Sequence, residues 1–156
     1  ELIYHLENFW QGDLSYVDAL KKCISDQKYW EIVVDNIVAK NRYDEFVCNL
    51  LQEERRYEQL MEKIENSANK VSLLDDHGRI LRKRFPERII KIYSDYLKRE
   101  AEMANDRKKY KRLMPYLKKI AGCAGGKAAA QEIAESWKRE YKRRSAMMDE
   151  LKRAGF

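Results

Sequence analysis

The sequence predicts an all-α protein built from short antiparallel helices stacked one on the next. Three observations carry this. The 156 residues include only 6 Gly and 2 Pro, too little turn material for an all-β chain of this length. Apolar residues recur at i, i+3 and i+4, the spacing of one helical face. Clusters that favour caps and turns, Gly12-Asp13, Ser25-Asp26-Gln27 and Lys40-Asn41, interrupt that pattern at short intervals. They divide it into several helices where an unbroken heptad pattern would give one rod.

Taken in order, the spacing predicts helices near 2–10, 14–24, 28–39, 42–53, 56–66, 70–84, 87–104, 107–121, 127–142 and 145–153. A faint repeat underlies the first five. Tyr29, Tyr43 and Tyr57 are 14 residues apart, Tyr16 lies 13 before the first, and each is followed at +3 and +4 by an apolar pair such as Phe46 and Val47. Tyr110, with Leu113 and Met114, repeats the arrangement. These companions place most of the tyrosines and tryptophans in the core rather than on a surface where bases could stack. Trp30, Val33, Val34, Ile37 and Val38 give the third helix a wide apolar face, as packing on two sides requires. Pro86 opens the seventh helix, where a missing N–H costs nothing. Pro115 interrupts the stripe of Tyr110, Leu113, Leu117 and Ile120, so a kink or a break into two short helices is expected there. Gly122, Gly125 and Gly126 form a turn, and the ninth helix follows with Ala130, Ile133, Ala134, Trp137 and Tyr141 inward.

The length suits one domain with its own core, and residue 1, a Glu, suggests a fragment of a longer polypeptide. No apolar run approaches the ~20 residues of a membrane span, and the start, Glu1-Leu2-Ile3-Tyr4, has neither the basic n-region nor the apolar h-region of a signal peptide. A cytoplasmic protein with no membrane association is expected. Cys23, Cys48 and Cys123 fit neither a disulfide framework nor a Cys-x-x-Cys metal half-site, and read as reduced thiols, some of them buried. The net charge of +6 hides an asymmetry: residues 1–76 carry 9 basic and 16 acidic side chains, residues 77–156 carry 23 and 10. An acidic half and a basic half should face different partners, or each other.

The segments RRYEQLMEKIE (55–65), RFPERIIKIYSDYLKRE (84–100), YLKKIAG (116–122) and WKREYKRRSAMMDELKRAGF (137–156) resemble the C-terminal helical region of bacterial proteins that carry a SWIM-type zinc finger nearer their N-terminus. The resemblance is best over residues 54–156. It implies tetratricopeptide-like helical repeats. The finger of such proteins is a Cys-x-Cys, Cys-x-His cluster that binds DNA or protein; this chain contains neither element, so the finger and its function do not carry over. Pro115 also departs from the family's pattern.

Candidate chemistry is sparse. Gly122-Cys123-Ala124-Gly125-Gly126-Lys127 invites a phosphate-loop reading, but its glycines are too close, Ala128 stands where Ser or Thr is needed, and no strand precedes it. It reads as an interhelix turn. Asp75-Asp76-His77-Gly78 are adjacent on a predicted helix and diverge by ~100° per residue, so they do not converge on a metal. They read as polar helix surface, with Gly78 admitting a neighbour. His5 is not read as a ligand either. No triad, metal set or catalytic carboxylate pair is expected, hence no enzyme and no cofactor.

The basic runs remain: Arg79 with Arg82, Lys83 and Arg84; Arg107, Lys108, Lys109, Lys111 and Arg112; Lys138, Arg139, Lys142, Arg143 and Arg144. If the eighth and ninth helices are antiparallel neighbours, the second and third runs share one edge as a patch of ten cations. Those of the third run suit a helix C-terminus, whereas those at 107–112 oppose the macrodipole of a helix start, a local cost that hints at use. The expected function is a non-catalytic helical-repeat scaffold for protein–protein interaction, the C-terminal part of a SWIM-like protein. The alternative is an accessory module that binds nucleic acid without sequence preference, its cations neutralising phosphates.

Overall fold

The computed structural model describes all 156 residues. They form ten α-helices and no β-strand: α1 (Leu2–Asn8), α2 (Ser15–Cys23), α3 (Gln27–Lys40), α4 (Asp44–Glu53), α5 (Tyr57–Asn66), α6 (Lys70–Leu81), α7 (Pro86–Met103), α8 (Arg107–Ala121), α9 (Gly126–Glu140) and α10 (Ser145–Ala154). The expected helices are all present. The contacts gather into two compact units, Glu1–Leu73 and Leu74–Phe156, divided within α6.

In unit 1, α3 packs on α1 and α4, and α4 packs on α5. The Asp26 carboxylate starts α3 by accepting from the Lys28 and Tyr29 backbone N–H groups. This satisfies donors that a helix start leaves unpaired. Trp30, Val34 and Ile37 of α3, Leu6 of α1 and Phe46 and Leu50 of α4 are all buried in the core of this unit. Buried Asn41, just past α3, donates from Nδ2 to the Leu6 and Trp10 carbonyls at 2.6 and 2.8 Å and accepts from the Tyr43 N–H. One side chain thus ties α1 to the α3–α4 turn. After α4, Arg55 takes a left-handed φ of 55°, with Arg55 and Arg56 N–H groups bonding back to Gln52 and Leu51. This is the hydrogen-bond pattern of a Schellman stop built on a residue other than glycine.

The repeat tyrosines correct the core expectation. Tyr16, Tyr29 and Tyr43 are exposed, while Tyr110 is buried. Side chains on a helix lean toward its N-terminus, so a ring at the cap or in the first turn projects past the end of its own helix. Tyr110, with a residue cap and three helical residues ahead of it in α8, leans over a completed turn into the core.

In unit 2, α7 packs on α8 and α9, and α8 packs on α9 and α10. Pro86 does open α7, and Asp106 caps α8 through the Lys109 N–H. Leu97 and Ala101 of α7, Leu113, Leu117 and Ile120 of α8, Trp137 of α9 and Leu151 of α10 are buried. Of the kink or break expected at Pro115, the break into two helices does not occur, for α8 runs through it. The proline and Lys111, whose carbonyl loses its intrahelical partner, both lie on the exposed face, where water can supply the missing bond. Gly125 turns the chain at φ 73°, and a Cβ on Gly126 would lie 1.8 Å from the Ile120 carbonyl oxygen. Only glycine fits there.

Candidate functional site

The ten cations of the expected patch divide into two kinds. Four serve the fold. Arg107, at the start of α8, reaches α10, its Nη1 lying 2.6 Å from Asp149 Oδ2 and 2.9 Å from Glu150 Oε1. The Arg107 hydrogen bond holds the Asp149 carboxyl below the usual range, and Asp149 in turn raises the guanidinium. Lys109 Nζ binds Asn105 Oδ1 at 2.7 Å, and Lys138 pairs with Glu135 at 2.8 Å. Arg144 Nη1 donates to the Ala101 and Ala104 carbonyls at 2.7 and 3.1 Å, and its guanidinium stacks 4.0 Å from the Tyr141 ring. It therefore caps the C-terminal end of α7, where carbonyls lack helical partners and cations are favoured.

The other six, Lys108, Lys111, Arg112, Arg139, Lys142 and Arg143, are exposed and make no side-chain hydrogen bond or ion pair. Arg144, the last cation of the third run, lies at Ala104, just before the turn from which the second run starts. The macrodipole argument weakens for Arg107 and Lys109, which Asp149, Glu150, Asp106 and Asn105 balance. It stands for Lys108. Arg82, from the first run, lies at the other end of α8, its Nη1 3.6 Å from the Cβ position of Gly122.

Beside this edge, α7 and α8 leave an open cleft of about 300 Å³. Tyr96, Glu100 and Met103 of α7 form one wall, Lys109, Arg112 and Leu113 of α8 the other, and Ala104 closes the corner. Met103 is 67% exposed. Sequence reasoning missed the cleft, although Met103 sits one helical turn past Glu100 on a face carrying Tyr96.

Below the cleft lies a second unforeseen feature. Asp75, in the unit 2 part of α6, accepts from the Tyr93 and Tyr116 hydroxyls at 2.9 Å each and pairs with Lys119. The Lys119 ammonium lies 4.7 Å from the Tyr116 ring centroid, and Tyr96 meets that ring edge-on at 5.0 Å. Burial pushes the Tyr93 and Tyr116 hydroxyls up, and the Asp75 carboxylate reinforces the shift. Both remain phenols that donate. The network holds α6, α7 and α8 together: Asp75 and Asp76 are exposed, Asp75 being a tie as well, and the Tyr93 hydroxyl lies 3.8 Å from the Cβ position of Gly78, while the polar-surface reading is corrected at His77, which is buried. An acid directly beside the Leu74 and Leu81 stripe was the available signal.

Residues 122–125 form the expected interhelix turn, and Gly126 and Lys127 open α9. Cys48 and Cys123 are buried and Cys23 exposed, all as free thiols, and burial pushes the Cys48 thiol up to about 12. No three His, Cys, Asp or Glu side chains group as a metal site, and no helix is long and apolar enough to cross a membrane. Comparison of the chain with protein-family models, with curated proteins and with solved structures returns no match.

Proposed function

We propose that this chain is a non-catalytic helical scaffold that mediates protein–protein association through the α8–α9 basic edge. The observation that carries the reading is the division of its cations. Four are engaged by the protein itself, Arg107 and Arg144 between elements and Lys109 and Lys138 with near neighbours in the chain, while six are exposed and make no hydrogen bond or ion pair, available to an anionic partner surface. The packing of α7 on α8 and α9, and of α8 on α9 and α10, supports a tetratricopeptide-like stack, in which each helix meets its successor and the next but one. In this reading the domain is the C-terminal part of a SWIM-like protein, in keeping with the segments that resemble that family.

The same six cations favour a second reading, an accessory nucleic-acid module. Anisotropy titrations with a labelled 20-residue polyglutamate and a labelled 20-nucleotide single strand, at ~50 and ~200 mM salt, separate the two. Tighter binding of polyglutamate, abolished by Lys108→Glu, Lys111→Glu, Lys142→Glu and Arg143→Glu together, supports the scaffold. Tighter, steeply salt-dependent binding of the oligonucleotide moves the function to nucleic acid. Binding of neither removes the edge as a working surface. Arg107, Lys109 and Arg144 are left intact because their loss would disturb helix packing or capping.

A further inference from the structure

The α7–α8 cleft differs from the basic edge in being two-faced, and that difference specifies a guest. Its floor and one end are apolar: Leu113 and Ala104 are buried, while Met103 stands exposed over the opening with its flexible thioether uncovered. A methionine in that position adapts to whatever apolar group it meets. About 300 Å³ is at the small end of ligand sites, enough for one or two aliphatic side chains set in from an element that lies across the opening. The rim is asymmetric. Arg112 and Lys109 come from α8 and Glu100 from α7, and Arg112 makes no hydrogen bond or ion pair, with Lys108 and Lys111 beside it on the same helix. From Tyr96 to Met103 the wall runs roughly 10 Å at ~1.5 Å per helical residue, about two turns.

We infer that this cleft receives an acidic amphipathic helix, which sets apolar side chains between Met103 and Leu113 and turns its carboxylates toward Arg112 and Lys108. The inference rests on the scaffold reading above and names the partner's chemistry. Charge complementarity decides the occupant. A guest with carboxylates on one flank can meet the cations of α8 and still keep that flank away from Glu100. A phosphodiester strand carries charge along its whole length and would lie against Glu100. The Tyr96 ring, already edge-on to Tyr116 at 5.0 Å, is a poor platform for a base.

The test uses the full chain and two labelled 14-residue helical probes of equal charge, one of Leu and Glu and the other with every Leu replaced by Ala. Anisotropy gives affinities, and ¹³C-methyl spectra report the methionines, among which Met103 is the exposed one. The expected result is at least tenfold tighter binding of the Leu/Glu probe, with the Met103 methyl signal moving. At least tenfold loss is expected in Met103→Asp and in Arg112→Glu, with retention in Met103→Leu. Both sites are exposed and unbonded, so thermal melts should match the parent. Equal binding of the two probes, with losses in Lys142→Glu and Arg143→Glu but none in Met103→Asp, overturns the cleft and leaves the edge standing. Binding of neither probe overturns both. An oligonucleotide of equal charge that displaces the Leu/Glu probe at lower concentration than unlabelled probe also overturns the assignment.

Discussion

The two units handle charge as mirror images. Unit 1 is acidic, and its scarce cations bridge separate elements: Lys21 to Glu54, Lys40 to Glu7, Lys63 to Asp44 and Arg56 to Asp35. Unit 2 is basic, and its scarce anions do the bridging. Asp75 gathers Tyr93, Tyr116 and Lys119, while Asp149 and Glu150 hold Arg107. In each unit residues of the minority sign join helices, and most of the majority sign is left over for solvent or a partner, Arg144 at the end of α7 being an exception. Net charge therefore reports the sign of the free surface but not which residues compose it; those are found by subtracting the ties.

The largest expected effects lie outside this charge pattern and set its scale. Leu51→Ala in unit 1 and Leu97→Ala in unit 2 both delete fully buried side chains, and each should lower unfolding stability by about 2–5 kcal/mol in urea titrations. Next comes the minority charge. Asp75→Ala strands the Tyr93 hydroxyl, whose residue is only 3% exposed, and should cost about 2 kcal/mol. Lys142→Glu and Arg143→Glu, on the majority side, should change stability by less than about 0.5 kcal/mol. Equal losses from both kinds of change would break the comparison. A smaller effect of opposite sign is expected at Arg55, where glycine suits the left-handed backbone and should gain about 0.5–1 kcal/mol in the same assay. The smallest lies on the pH axis. Burial alone would raise the Asp44 carboxyl, but the Ser67 hydroxyl and Lys63 ammonium outweigh it and hold it below its ordinary 3.8. Its stabilising contribution is thus complete well above that value and lost as pH falls through the lower folded value. Asp44→Asn should flatten this part of an acid titration followed by circular dichroism; an unchanged profile would remove Asp44 from the sharpened picture.

The helices were legible because their signals are local. Periodicity, the cap and turn clusters such as Ser25-Asp26-Gln27, and Pro86 place all ten, with ends within three residues of those observed. What stayed hidden depends on direction or distance. The tyrosine spacing revealed where helices begin but not that rings at those beginnings lean outward. Pro115 looked disruptive because its exposed side is a tertiary fact. The basic edge was legible as a cluster, yet its division was not: Arg107 finds its carboxylates more than forty positions onward, and Arg144 finds its carbonyls as far back. Asp75 is hidden in the same way, since its three partners come from two later helices. The cleft arises from what α7 and α8 leave unfilled, which no single helix encodes.

Gly126 gives the α8–α9 turn a geometric leverage. Its missing Cβ lets the chain pass against the Ile120 carbonyl, and α9 then extends 15 residues, roughly 22 Å at ~1.5 Å each. A larger residue would have to tilt that arm at its pivot, and a tilt of about 10° over that length would swing the far end by about 4 Å. Lys142 and Arg143 ride just beyond that end. A substitution with no charge and no contact with a partner could thus misalign the cationic edge while leaving every cation in place.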